Sequence, residues 1–244
     1  MENSVKSDNS IELKDFLITK SNFDKARLME GSVLLFDKPL HWSSFKLVKK
    51  IKYFSKAARV GHAGTLDPLA TGLLIICTGK CTRMIESIQN QAKEYTGTIA
   101  FGHTTPSYDL ETLFDGDYAY NHITNEAIQA AAKHFTGPVE QVPPAFSAVK
   151  INGTRAYKFA RQGKEVEIKK RTIQVDYFDI EGTLPDIHFT IGCSKGTYIR
   201  TMAHDFGKYL NSGSHLSALR RTKIGDFSVN DAFTVEEFQE LCGF

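Results

Sequence analysis

A chain of 244 residues with 41% hydrophobic and 24% charged side chains has the composition of an ordinary globular protein, long enough to bury a core as one large domain or two small ones. No apolar run reaches the length of a membrane span, and the polar opening MENSVKSDNS has neither a secretory apolar stretch nor an arginine-rich transit pattern, so a cytoplasmic protein is expected. The net charge of +2 selects no partner class, and Cys77, Cys81, Cys193 and Cys242 form no CxxC pair, which argues against a zinc site and a disulfide framework and for buried free thiols.

Residues 1–28, rich in Asn, Ser, Asp and Lys, are expected to be an N-terminal extension that is partly disordered, with the folded domain covering 29–244. GSVLLFDKP reads as a short strand ended by a turn, because Pro39 keeps Lys38 out of the helical region. A helix follows, capped by Ser43 or Ser44, with Leu47, Val48, Ile51 and Phe54 on its apolar face. TGLLIICTG and EYTGTIAF read as strands. Ile128, Ala131, Ala132 and Phe135 make a helical stripe after Thr124. Two runs alternate with period 2, Ile173/Val175/Tyr177 and Ile187/Phe189/Ile191/Cys193. Met202, Ala203, Phe206 and Leu210 mark another helix, and Thr234 with Glu237 forms a capping box for the last one. Helices and strands do not alternate regularly, so an α+β fold around a mixed, largely antiparallel sheet is expected.

Basic residues cluster. Phe45 to Arg59 contains Lys46, Lys49, Lys50, Lys52, Lys56 and Arg59 without one acidic residue; Arg155 to Arg171 is basic with interleaved Tyr157 and Phe159; Arg220, Arg221 and Lys223 form a third group. One such run is usually a solvated face, but three in a nearly neutral chain point to nucleic acid.

The densest signal is RVGHAGTLDPLATGLL at 59–74, where glycines and a proline enclose one histidine and one aspartate. Gly61, Gly64 and Gly72 permit close approach or positive φ, and Pro68 biases Asp67 towards an extended conformation, so Asp67 is presented from a rigid loop. Taken alone, Asp-Pro is equally a turn opener. A phosphate-loop reading fails, because Gly79-Lys80 is followed by Cys81 and lacks the earlier glycine.

GHAGTLDPLATG at 61–72 resembles the catalytic motif of the TruB family of pseudouridine synthases. Lys38-Pro39, Lys93-Glu94-Tyr95, PAFSAVK at 144–150 with the following AYKFARQG, and CSKGTYIRT at 193–201 resemble further family motifs, in family order, from about residue 30 to 230. The resemblance implies the pseudouridine synthase fold, a mixed sheet flanked by helices with an active-site cleft. It implies isomerisation of uridine 55 in the TψC arm of tRNA, by a base-flipping, redox-neutral reaction that needs no cofactor and no metal.

Asp67 would be the catalytic carboxylate, Arg200 its charge partner, and Tyr95 the aromatic that stacks on the target base. His62, Tyr198, Lys38 and Lys150 would bind substrate, with an RNA-binding insertion near 150–171. The expected partner is the TψC stem-loop of tRNA, bound by a monomer, with no membrane involved. A short form without the PUA-type C-terminal domain is expected. Two other readings stay open, an RNA-folding protein that keeps the scaffold without catalysis and a synthase acting on ribosomal RNA under a guide.

Overall fold

The computed structural model describes residues 13–147, 149–151, 153–164 and 166–244. The chain runs through β1 (Leu17–Ile18), α1 (Lys25–Glu30), β2 (Val33–Lys38), α2 (Ser44–Ser55), β3 (Val60–Ala63), β4 (Ala70–Thr78), α3 (Ile85–Gln89) and β5 (Lys93–Phe101). After the short pair β6 (His103–Thr104) and β7 (Gly116–Asp117) come α4 (Asn125–His134), β8 (Gly137–Gln141), the hairpin β9 (Lys150–Ile151) and β10 (Thr154–Arg155), and α5 (Ala156–Ala160). It closes with β11 (Arg171–Thr183), β12 (Asp186–Cys193), α6 (Ile199–Tyr209), β13 (Ser214–Ile224), β14 (Phe227–Ser228) and α7 (Val235–Leu241).

One mixed sheet organises the molecule, in the order β1-β2-β4-β13-β5-β12-β11-β8. Only β1 with β2 and β4 with β13 run parallel along it; the other neighbours are antiparallel, as the sequence leads one to expect. Both faces of its β2–β4 half are covered. Leu34, Phe36, Leu74 and Ile76 point into the larger core, while Val33, Leu35, Leu73, Ile75 and Cys77 point into a smaller one on the opposite face. A strand buried on both sides needs apolar residues at successive positions, which explains the unbroken LLIIC run.

The helices form where their apolar stripes lie. Ser43 caps α2 by accepting from the Lys46 amide, and Leu47, Val48, Ile51 and Phe54 are buried beneath it. Thr124 caps α4, and Thr234 with Glu237 makes the anticipated capping box on α7. All four cysteines are buried and free. No helix among the described residues is long and apolar enough to cross a membrane.

Two expectations need correcting. The chain joins the core before residue 29: β1 pairs with β2, and Ile18 and Leu28 are 1% and 0% exposed. The expected extension thus ends earlier, and residues 1–12 lie outside the described residues. The alternation Ile173/Val175/Tyr177 also breaks, because the β11–β12 register shifts between Val175 and Tyr177. That bulge turns Tyr177 outwards, where its hydroxyl donates to Glu94 at 2.6 Å, and Phe178 takes the core position.

Candidate active site

Asp67 sits on the turn between β3 and β4, and three elements distant in sequence fix that turn. The Ser44 hydroxyl, at the first residue of α2, accepts from the Leu66 amide (2.9 Å) and donates to the Leu66 carbonyl (3.0 Å). The His41 amide donates to the Pro68 carbonyl at 2.8 Å. From β13, Arg221 donates to the carbonyls of Leu73 (2.8 Å), Gly64 (3.3 Å) and Thr65 (3.4 Å).

The glycines make this approach possible. Gly72 has φ +99° and lies against the Arg221 backbone, where a Cβ would overlap main-chain atoms, and Gly64 has φ +91° beside the Arg221 guanidinium. Any side chain at Gly72 would push β13, and with it Arg221, off the turn. Gly61 has an ordinary φ, and its tight neighbour is the Ile85 side chain. The expected rigid loop is thus two strand ends and a clamped turn.

The cleft in front of Asp67 has a volume of about 1040 Å³. Its walls include Lys93 and Tyr95 from β5, Tyr157 and Arg161 from the α5 segment, and Tyr198 and Arg200 from the start of α6. Arg200, 5% exposed, brings one guanidinium nitrogen to 3.0 Å from the Asp67 carboxylate and faces Asp109 with another at 3.5 Å. It also donates to the carbonyls of Ser107 (3.1 Å) and Phe146 (2.9 Å). Each of the three guanidinium nitrogens has a partner, so its position is held from several sides.

Asp67 keeps 43% of its side-chain surface open to the cleft. Even so, loss of water pushes its carboxyl above the usual range; Arg200 opposes the rise, while Asp109 and Glu111 add to it. Arg200 therefore orients Asp67 without bringing it below an ordinary carboxyl, because loss of water outweighs its attraction and Asp109 adds to the rise. Tyr95 is 9% exposed in the cleft wall, and burial raises its phenol, a rise that the nearby Arg221 charge opposes. Tyr198 is half-buried, packs under the Arg171 guanidinium at 4.7 Å, and is held by the Gln141 side chain, which bonds both its amide (2.8 Å) and its carbonyl (3.0 Å).

Of the residues singled out in sequence, Asp67, Tyr95, Arg200 and Tyr198 meet in this cleft. Lys38 does not join them. It is fully buried, its ammonium donates to the carbonyls of Pro39 (2.9 Å) and Trp42 (2.7 Å), and burial lowers its pKa to about 8. It supports the loop carrying His41, and so acts on the Asp67 turn from behind. His62 is half-buried on β3 outside the cleft-lining set, with its pKa lowered by burial and its Nδ1 unpartnered. The side chain of Lys150 lies outside the described residues.

The third basic cluster also changes meaning. Arg221 is 1% exposed, Arg220 forms a bidentate pair with Asp37 at 2.9 and 2.7 Å, and Lys223 pairs with Glu94 at 2.9 Å. Arg221 is thus spent inside the protein, while Arg220 and Lys223 keep partly exposed side chains that are paired with carboxylates. Sequence reasoning overlooked Asp109, which has no local motif to mark it, and mistook Arg221 for a surface residue.

The sequence model described as "TruB family pseudouridylate synthase (N terminal domain)" matches residues 50–199, and "tRNA pseudouridylate synthase B C-terminal domain" matches 200–244. The latter stretch, with α6, β13 and α7, is built into the same sheet and core. A protein of Flavobacterium johnsoniae named tRNA pseudouridine synthase B is 54% identical over 87% of this chain and 96% of its own length. Its namesake in Phocaeicola vulgatus is 51% identical over 86% and 93%. Among solved structures, a chain of a Cbf5-Nop10-Gar1 complex superposes with a TM-score of 0.68 at 26% identity, over 98% of this chain and 67% of that one. The chain belongs to the TruB family of pseudouridylate synthases.

Proposed function

We propose that this chain isomerises uridine to pseudouridine in tRNA, at position 55 of the TψC arm, with Asp67 as the catalytic carboxylate. The observation that carries the reading is the Asp67–Arg200 pair, 3.0 Å apart in a cleft lined by Tyr95. The names of the TruB relatives supply the tRNA substrate class.

The reaction breaks the bond from uracil N1 to ribose C1′, turns the base and rejoins it through C5, which loses its proton while N1 gains one. Asp67 acts in its ionised form, either as a nucleophile or by assisting elimination to a glycal. Arg200 orients it. Tyr95, a neutral phenol whose burial moves it further from ionisation, offers a ring face to the uracil. Tyr198 lines the cleft beside it as a substrate contact. A stacked uridine cannot reach this turn, so the base must leave the stack at a cost of roughly a few kcal/mol. The insertion at 150–171 supports RNA contact, since its Tyr157 and Arg161 form part of the cleft wall. Four free thiols suit a reducing cytoplasm.

The test is Asp67→Asn assayed on a TψC stem-loop. Binding should persist while pseudouridine formation falls by about three orders of magnitude or more. Undiminished product formation overturns the mechanism. Mapping pseudouridine in cells lacking the gene tests the substrate: loss at position 55 of tRNA is expected, and an intact position 55 overturns the assignment.

A further inference from the structure

The start of α2 touches the cleft, and the rest of the helix carries a separate surface away from it. Ser43 lines both the cleft and a groove of about 510 Å³, whose other walls are Phe45, Lys46, Lys49, Lys50 and Tyr53. At 1.5 Å per residue the groove follows the helix for about 15 Å.

Its composition is unusual for a solvated helix face. Phe45 is 63% exposed and Tyr53 57%, although the opposite face of the same helix is fully packed. No acidic residue occurs between 45 and 59, and among the described residues Lys46, Lys49 and Lys50 have no ion pair. All three lie over aromatic rings instead, Lys46 at 4.0 Å from the Trp42 centroid, Lys49 at 4.8 Å from that of Phe45 and Lys50 at 5.4 Å from that of Phe54. Solvated helices normally interleave both signs of charge along such a face. A face of one sign with open rings suits a polyanion that also presents aromatic surfaces, which describes RNA better than an acidic protein.

We propose that this groove is an RNA-docking surface continuous with the cleft, in which Lys46, Lys49 and Lys50 hold substrate phosphates and Phe45 stacks on an unpaired base. The inference rests on the reading of the substrate as RNA. Charge complementarity selects the occupant, and the shared residue Ser43 makes the groove an extension of the cleft mouth. A strand leaving the cleft there meets three cations on the exposed side of the helix.

The experiment measures Kd for full-length tRNA and for the TψC stem-loop between 50 and 300 mM salt, in an Asp67→Asn background that removes turnover. Each lost phosphate contact lowers the salt slope by about 0.7 to 0.9, so a Lys46→Ala/Lys49→Ala/Lys50→Ala variant should lose about two units of slope and bind roughly tenfold more weakly at physiological salt. Phe45→Ala should weaken binding about fivefold or more, and Phe45→Trp should restore it, since stacking needs a ring and not a particular one. Thermal melts check folding, and Phe45→Trp gives a second reading that does not depend on the lysines. Loss with full-length tRNA alone assigns the groove to RNA beyond the TψC arm, and equal loss with both assigns it to the arm. Unmoved Kd and salt slope with both RNAs overturn the proposal. Pseudouridine formation by the unaltered enzyme is read separately: an inactive enzyme that binds RNA through these lysines would overturn the proposed activity and leave the groove standing.

Discussion

Two basic segments that look alike in sequence have opposite fates in the fold. Arg220, Arg221 and Lys223 lie on β13, a strand held between β4 and β5, and their charges are consumed by Asp37, by main-chain carbonyls around Asp67, and by Glu94. Lys46, Lys49 and Lys50 lie on the outer face of α2, exposed and without ion pairs among the described residues. What separates them is the number of neighbours on which a strand or a helix is built. A central strand has partners on both edges and cover on its faces, so a buried cation such as Arg221 must find acceptors within the protein, and its partly exposed neighbours Arg220 and Lys223 lie beside carboxylates. A peripheral helix has one free face, and its cations stay in water.

This contrast predicts a ladder of effects. Arg200→Met should be the most damaging substitution of an interior cation, since it leaves Asp109 buried without its charge partner and the Ser107 and Phe146 carbonyls without donors; a loss of about 3 to 5 kcal/mol in urea denaturation is expected. Arg221→Met should cost about 2 to 3 kcal/mol, through the orphaned carbonyls of Gly64, Thr65 and Leu73, and should lower activity by loosening the Asp67 turn. If Arg221→Met melted like the unaltered protein, the carbonyl clamp would be of no consequence. Lys49→Met, by contrast, should leave stability within about 0.5 kcal/mol, and a larger loss would mean that the outer face of α2 carries structural weight after all.

A pH experiment sharpens the same comparison within the cleft. Asp67 is held above the usual carboxyl range and, in the proposed mechanism, acts when ionised, so kcat/KM should fall on acidification through a pKa higher than the ordinary value of 3.8. Asp109→Asn removes one of the negative charges that raise it and frees Arg200 to face Asp67 alone, so the acid limb should move to lower pH. An acid limb that stays put or moves upwards would show that Arg200 and Asp109 do not set the charge on Asp67.

Much of this was legible along the chain because it depended on short-range chemistry. The Ser43, Thr124 and Thr234 caps, the stripe of α2 and the strand character of 70–78 each follow from residues within a few positions of one another. The meeting of Asp67, Tyr95 and Arg200 was implied by family resemblance and not by periodicity. What escaped was set by pairing at a distance. Nothing near Arg221 announces that β13 lies beside β4, with Arg221 opposite Gly72 on one side and Tyr95 on the other. Lys38 was implied as a substrate contact by the family resemblance of Lys38-Pro39, and the pairing of β2 with β4 and the Pro39 and Trp42 carbonyls make it internal. The bulge after Val175 likewise depends on the partner strand, since β12 decides which of Tyr177 and Phe178 faces the core.

The central place of β13 has a consequence for how the enzyme is made. Within the sheet, β1-β2-β4 and β5-β12-β11-β8 are two ribbons that meet only through this strand, which lies at Ser214–Ile224. On the ribosome both ribbons emerge first, each with an unpaired edge facing the other, and neither can bring Tyr95 against the Asp67 turn until the late strand threads between them. Synthesis of the Asp67 turn thus precedes completion of the cleft by some 150 residues of chain, so that a nascent, partly translated protein holds the proposed catalytic motif without the cleft around it.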